Sequence, residues 1–129
     1  MNALMRRRGM MQSAPTEYQK IGEELVTQVI ADRKTIDPNT GELTGGSKYY
    51  RRVDYIEVYP QYAYIAEWYQ NGTRPFYFAW YTTDKTYISG GTKEDFSSYP
   101  AIITPPINAK YIRFSSSDGA GTMSFKRYS

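Results

Sequence analysis

The sequence predicts an all-β protein: an antiparallel β-sandwich of jelly-roll type at residues 21–129, with an extended N-terminal arm at residues 1–20. The chain has 129 residues, the size of one domain. Aromatic residues make up 16% of it and include fourteen Tyr, and such side chains fit the pleated, half-buried surface of a sheet. Short apolar runs alternate with turn residues along the body, a spacing that indicates about eight or nine strands.

The first twenty residues differ from the rest in composition. They contain four basic residues and one acidic residue, so they carry the whole net charge of +3, and they hold four of the five Met residues. Gly9 and Pro15 interrupt the segment, and an isolated helix this short is marginal in water. We expect an arm that a partner holds in place, through Met5, Arg6, Arg7, Arg8, Met10 and Met11.

In the first half of the body, strands are expected where apolar runs stop at turn residues. They are expected at 24–30, 52–59 and 62–69, with a turn at 37–41 and a loop at 44–47. In the turn, Pro38 presets φ, Asn39 tolerates left-handed geometry and Gly41 closes it. A helix over 16–30 is a competing interpretation, which Gly22 and the β-branched residues after it disfavour.

The second half of the body contains its most apolar run, residues 76–82. We expect this run to be the central buried strand, with Trp80 in the core. A strand at 87–89 would close a hairpin on it, and Gly90-Gly91 would open a loop. Further strands are expected at 102–103, 110–115 and 123–128.

The composition excludes several classes of function. The chain has no Cys and no His, which removes thiol nucleophiles, His bases, Cys/His zinc sites and a disulfide framework. The basic start is not followed by an uninterrupted apolar segment, so we expect no signal peptide. No run reaches the roughly 20 apolar residues of a membrane helix, so we expect no membrane contact.

Four short stretches, in order, resemble a β-sandwich module of bacteriophage tail, fibre and other virion proteins. The matching positions are Lys34 to Asp37 with Thr40 to Glu42, then Asp54 to Ile56 with Val58 and Pro60, then Ala79, Tyr81, Lys85 and Ile88 to Gly90, and finally Pro106 with Asn108 to Arg113. The resemblance covers residues 23–116. Trp80 and Thr82 depart from its usual Phe and Asp, and a Tyr-rich stretch at 59–69 is extra.

The resemblance implies a carbohydrate-binding-like fold in a virion structural protein without catalysis or cofactor. We expect a capsid decoration, head fibre or tail adaptor protein, made in the host bacterial cytoplasm and displayed on the virion surface. Its arm would dock on other capsid or tail proteins, and it would form a homo-oligomer or a symmetric array. The alternative is a receptor-recognition module of a phage tail or fibre that binds a host surface glycan.

The polar residues offer few sites of chemistry. The acidic residues form no recognisable pair, so we expect no catalytic residue. Residues 37–42 supply several oxygens but lack the alternating ligands of a calcium loop, so a turn is favoured and no metal site is expected. Arg113 lies in an apolar strand, where it could contact a ligand, although pairing with a carboxylate such as Asp54 is favoured.

Two groups of residues are candidate contacts. Tyr62, Tyr64, Trp68 and Tyr69 precede the polar loop at 70–75, where they could stack on a sugar, contact a protein or belong to the core. We expect the Trp68 ring to be exposed at one end of the sandwich. Arg6, Arg7 and Arg8 could touch nucleic acid. Three charges make a small footprint and the neutral body adds no basic face, so docking on an acidic protein shell is the favoured interpretation.

Overall fold

A computed structural model describes residues 21–46, 50–68, 76–96, 100–116 and 123–128. They form ten strands and one 3-10 turn at Lys93–Asp95. The strands are β1 (Ile21–Glu24), β2 (Lys34–Ile36), β3 (Leu43–Gly45), β4 (Arg51–Glu57), β5 (Ala63–Trp68), β6 (Phe76–Tyr81), β7 (Tyr87–Thr92), β8 (Ala101–Ile103), β9 (Tyr111–Ser116) and β10 (Met123–Tyr128). The predicted all-β class is confirmed. The predicted arm lies outside the described residues.

The strands form two four-stranded sheets and a separate hairpin, with antiparallel pairing throughout. The first sheet has the order β1-β10-β5-β8 and the second has the order β4-β9-β6-β7. The hairpin consists of β2 and β3. The apolar run at 76–82 is confirmed as an internal strand, because β6 lies between β9 and β7.

One apolar core fills the space between the two sheets. It takes inward-facing residues from six strands, which are Val53, Ile56, Tyr64, Ala66, Trp68, Phe76, Phe78, Trp80, Ala101, Ile103, Ile112, Phe114, Met123 and Phe125. The Trp68 and Phe76 rings stack with centroids 3.9 Å apart and planes 11° apart. Trp80 is buried mid-strand, as predicted. This side of the second sheet is called its inner face.

The other side of the second sheet, its outer face, is covered by the β2–β3 hairpin. Ile36 of the hairpin packs with Ala79 and Tyr81 of β6 in a smaller buried cluster. Because side chains alternate along a strand, β6 therefore buries both of its faces. The described chain thus has three layers, with the second sheet in the middle.

The predicted strand at 24–30 is wrong. The strand β1 ends at Glu24, whose carboxylate accepts hydrogen bonds from the Val26 amide at 3.1 Å and the Phe125 amide at 2.8 Å. Leu25 and Val26 then pack together against the core, so they do not alternate as strand residues would.

The predicted loop at Gly90-Gly91 is also wrong, because both glycines belong to β7. A Cβ at Gly90 would lie 2.3 Å from the Pro38 carbonyl oxygen, and one at Gly91 would lie 2.7 Å from Cζ of Phe78. The two glycines therefore allow the hairpin and a core ring to approach β7 closely, and they do not break the strand.

Candidate functional site

The expectation that Trp68 is exposed is wrong. Its side chain is only 3% exposed, because it follows Tyr64 and Ala66 on the core-facing side of β5. The polar loop after Trp68 does not end the core, since Phe76 on the next strand stacks on the indole ring. Trp68 offers no ring to a ligand in this structure.

Tyr64 is likewise a core residue and not an exposed contact. Its ring is 1% exposed and stacks on Phe125, with centroids 5.0 Å apart. Its hydroxyl oxygen accepts a hydrogen bond from the Tyr59 amide at 2.9 Å, and burial raises the pKa of the phenol. Tyr64 therefore fixes the β4–β5 loop.

Tyr62 is the one predicted aromatic contact that reaches the surface among the described residues. It is half-buried, and the Arg127 guanidinium lies over its ring at 3.7 Å. Tyr59, which the sequence did not single out, is 40% exposed and packs edge-on against Tyr62 at 6.1 Å. Tyr69 lies outside the described residues, as do the arm positions Met5, Arg6, Arg7, Arg8, Met10 and Met11.

Arg113 pairs with Asp54, as predicted, with Nη1 lying 3.3 Å from Oδ1. The same guanidinium lies over the Tyr55 ring at 4.5 Å and the Tyr81 ring at 5.1 Å. It also donates from Nη2 to the Gly41 carbonyl at 2.8 Å and from Nε to the Tyr81 hydroxyl at 3.1 Å. This side chain thus ties the turn after β2 to the outer face of the second sheet.

The turn at 37–41 is confirmed, and its backbone explains its position. The Asn39 amide donates to the Asp37 carboxylate at 2.8 Å, and the Gly41 amide donates to the Asp37 carbonyl at 2.7 Å. Gly41 has φ of 75°, and an added Cβ would lie 2.6 Å from Cδ1 of Tyr87. Glycine is therefore required for the turn to reach the sheet.

An open cleft of about 580 Å³ lies where this turn meets the outer face. It is lined by Thr40, Gly41, Glu42, Leu43, Tyr55, Tyr81, Lys85, Tyr87 and Arg113. The Lys85 ammonium lies over the Tyr55 ring at 4.7 Å and the Tyr111 ring at 5.5 Å. Seven of the positions that carry the resemblance line this cleft: Thr40, Gly41, Glu42, Tyr55, Tyr81, Lys85 and Arg113. Sequence reasoning missed this convergence.

A second surface lies at one end of the sandwich, which we call the near end. There β1 begins and β10 ends. The Val58 amide donates to the Lys110 carbonyl, and the Lys110 amide donates to the carbonyl of Tyr81, the last residue of β6. The large exposed apolar residues in the described chain are Ile21 (56%), Tyr59 (40%), Ile102 (47%) and Ile107 (81%). Ile21, Tyr59 and Ile107 lie at this end, and Ile102 pairs with Ile65, two residues from the start of β5 there.

Four near-end side chains form one row of contacts, Lys110, Tyr59, Tyr62 and Arg127. The Lys110 ammonium lies over the Tyr59 ring at 4.7 Å, and its Nζ is 2.6 Å from the Glu57 carboxylate. Tyr59 contacts Tyr62, which is covered by Arg127. Ile21 pairs with Tyr128, and Gly22 lies against Arg127, so the Ile21 side chain is on the opposite face of the sheet from Arg127. We call the set Tyr59, Tyr62, Lys110 and Arg127 the near-end patch.

The described residues offer neither a metal cluster nor a membrane-spanning helix. They contain no cluster of three or more acidic side chains that could hold a metal ion. They also contain no helix long and apolar enough to cross a membrane.

Comparisons with known proteins gave no relative. No family model matches the chain, no curated protein is significantly similar to it, and no solved structure matches its fold.

Proposed function

We propose that this chain is a non-enzymatic structural protein of a bacteriophage particle, a capsid decoration, head fibre or tail adaptor protein. It docks through residues 1–20 and displays the sandwich outwards. The observation that carries the proposal is a separation of charge: residues 1–20 hold the whole net charge of +3, and they join a neutral body at Ile21, where β1 begins. Basic and Met-rich segments suit docking on an acidic, irregular protein surface.

The strand order supports the proposed jelly-roll type. If the β2–β3 hairpin is set aside, the eight remaining strands, renumbered along the chain, have the orders 1-8-3-6 and 2-7-4-5. Two interlocked Greek keys in facing sheets give this arrangement, which is common in viral capsid domains. We therefore propose a jelly roll with a hairpin inserted between its first two strands.

The absence of catalysis is also part of the proposal. Its support is that three carboxylates are engaged by cations of the same chain. Asp32 pairs with Arg52 at 2.9 Å, Glu57 pairs with Lys110 at 2.6 Å, and Asp54 contacts both Arg52 and Arg113. Ion pairs of this kind hold loops and strands together, so these three carboxylates are not poised as an acid–base couple.

Glycan recognition is a second candidate function, at a different place from the one the sequence suggested. The outer-face cleft combines three tyrosines with the Lys85 ammonium and the Glu42 carboxylate, a mixture that suits a polar ligand such as a sugar. Substitution of Lys85 by Gly removes its charge and suits a backbone φ of 67°. Loss of cell-surface binding in this folded variant would favour the second candidate.

Quantitative mass spectrometry of purified particles tests the first proposal. A decoration or fibre protein is present at a fixed copy number relative to the major capsid or tail protein, and it survives washing. A receptor-binding protein is present in only a few copies per particle. The proposal is wrong if washed, infectious particles contain none of this chain.

A further inference from the structure

We propose that the outer-face cleft binds a sugar that bears a carboxylate, such as a uronic acid. This inference rests on the second candidate function, glycan recognition, and deepens it by naming the chemical class of the ligand. The residues that carry it all belong to the body, so it does not depend on docking through residues 1–20.

The two cations that line the cleft differ in what they already bind. Each nitrogen of the Arg113 guanidinium is engaged: Nη1 pairs with Asp54 at 3.3 Å, Nη2 donates to the Gly41 carbonyl at 2.8 Å, and Nε donates to the Tyr81 hydroxyl at 3.1 Å. The Asp54 carboxylate also compensates its charge. Arg113 therefore builds the floor of the cleft, and a ligand must be held by another group.

Lys85 is the cation that remains for a ligand. Its ammonium lies over the Tyr55 ring at 4.7 Å and the Tyr111 ring at 5.5 Å, and no carboxylate of the described residues forms an ion pair with it. Attraction to the ring faces keeps the cation in place without using its three N–H donors on an acceptor. An ammonium held in this way favours an anionic group in the cleft.

The loop between β6 and β7 fixes the position of Lys85. The Thr82 amide donates to the Thr86 carbonyl at 2.8 Å, and the Lys85 amide donates to the Thr82 carbonyl at 2.9 Å. The Asp84 carboxylate accepts hydrogen bonds from the Thr82 hydroxyl and, at 3.0 Å, from the Thr86 hydroxyl. Because these bonds hold the loop before a ligand arrives, little conformational freedom is lost on binding.

The hairpin side of the cleft carries an acceptor, which favours a sugar over a simple anion. Glu42 is exposed there and forms no ion pair within the described chain. A carboxylate accepts hydrogen bonds and donates none, so it suits the hydroxyl groups of a sugar. A ligand with one carboxylate and several hydroxyls satisfies Lys85 and Glu42 together, whereas a cationic ligand would meet both Lys85 and Arg113.

Two half-buried tyrosines, Tyr55 and Tyr87, give the cleft an apolar wall. The Tyr87 ring is held by the hydrogen bond from its hydroxyl to the Pro38 carbonyl at 2.7 Å, and the Tyr55 ring packs edge-on against Tyr81 at 5.1 Å. Such rings offer apolar contact area at a fixed position, and the C–H face of a sugar ring can pack on them. Wall, cation and acceptor together match a sugar acid.

The test measures binding of simple sugars to the purified full-length chain by NMR titration. The acidic probes are the methyl glycosides of glucuronic acid, galacturonic acid and N-acetylneuraminic acid, and the neutral probe for each is its methyl ester. Lys85→Gln removes the charge, Lys85→Arg keeps it, and Lys34→Gln makes the same charge change at an exposed lysine outside the cleft. Thermal melting confirms that each variant is folded.

We expect at least one acidic probe to shift the resonances of Tyr55, Lys85 and Tyr87. It should bind about fivefold more tightly than its ester, the factor that a favourable exposed ion pair contributes. Lys85→Gln should abolish this preference, whereas Lys85→Arg and Lys34→Gln should keep it. Added salt should weaken the preference in the parent.

Other outcomes separate this inference from glycan recognition itself. If an acid and its ester bind equally, or if Lys85→Gln keeps the preference, the carboxylate is not recognised, the inference is overturned and glycan recognition stands. If acetate alone shifts the same resonances with the same affinity, the cleft binds a carboxylate without a sugar, and the inference is wrong. If none of the probes shifts these resonances, the inference and glycan recognition at this cleft both fail.

Discussion

The two faces of the second sheet are held by different kinds of interaction. On the inner face, Phe76, Phe78 and Phe114 pack ring against ring with centroids 5.7 to 6.2 Å apart. On the outer face, Arg113 and Tyr81 both donate to the carbonyl of Gly41. Apolar packing is non-directional and tolerates exchange of similar residues, whereas hydrogen bonds to one backbone atom require particular side chains.

The outer face depends on directed bonds along its whole length. The Ser115 hydroxyl bonds Thr35 Oγ1 at 2.6 Å and accepts from the Ile36 amide at 3.0 Å. The Tyr87 hydroxyl donates to the Pro38 carbonyl at 2.7 Å. The hairpin is therefore held by a few polar side chains together with the buried packing of Ile36 on Ala79 and Tyr81.

The largest expected effect is on the inner face, at Trp68. Its replacement by Ala should lower the free energy of unfolding by about 3–5 kcal/mol, because it leaves a cavity beside Phe76. Trp68→Phe, which keeps a ring on Phe76, is the matched control and should cost clearly less. Chemical denaturation measures both. A loss below about 1 kcal/mol for Trp68→Ala would contradict the burial of this side chain.

The next effect is on the outer face, at Arg113. Arg113→Met keeps the aliphatic length but leaves the buried Gly41 carbonyl with one donor fewer, and should cost about 2–3 kcal/mol. Arg113→Lys should recover only part of this, since it lacks the planar fork. If Arg113→Lys unfolds at the same denaturant concentration as the parent, charge alone holds the hairpin and the directed-bond account is wrong.

A smaller effect on the same face comes from Tyr81→Phe, which removes one hydroxyl and should cost about 1 kcal/mol. Because the hydroxyl and the guanidinium share the Gly41 oxygen, the double variant with Arg113→Met should lose less than the two single losses added together. Denaturation of the four proteins measures the coupling. Strict additivity would show that the two side chains act independently.

The smallest effect is expected at the edge of the first sheet, at Glu24. Burial opposes ionisation of its carboxylate, but hydrogen bonds from the Phe125 amide and the Ser124 hydroxyl outweigh it and lower the pKa. The stabilisation is present above the ordinary Glu pKa and is lost as the pH falls through the lowered value. Glu24→Gln should therefore cost below about 1 kcal/mol at neutral pH, since the site is exposed, and should weaken the acid dependence of stability. If the free energy of unfolding of Glu24→Gln falls at low pH as steeply as that of the parent, this role is contradicted.

The features that could be predicted from the sequence are those that short local patterns determine. The apolar run at 76–82 identified β6 and Trp80, the turn residues identified 37–41, and the isolated charge of Arg113 identified Asp54 as its partner. Each depends on neighbours along the chain or on a simple rule of charge pairing.

The sequence failed where burial depends on distant residues. Trp68 was predicted to be exposed because a polar segment follows it, but its ring is covered by Phe76 on the next strand. Arg113 bonds a carbonyl 72 residues away, a contact that no local pattern contains. The near-end patch likewise joins Tyr59, Lys110 and Arg127 from two separate loops and a strand, and becomes visible only once the sheets are assembled.

The most direct test of the account compares the full-length chain with a chain of residues 17–129 in phage assembly. The account predicts that the shortened chain melts in one cooperative transition near the temperature of the full-length chain, because the described contacts all lie after Lys20. It also predicts that the shortened chain is missing from purified particles that carry the full-length chain at a fixed copy number. Incorporation of the shortened chain at that same copy number would contradict docking through the arm.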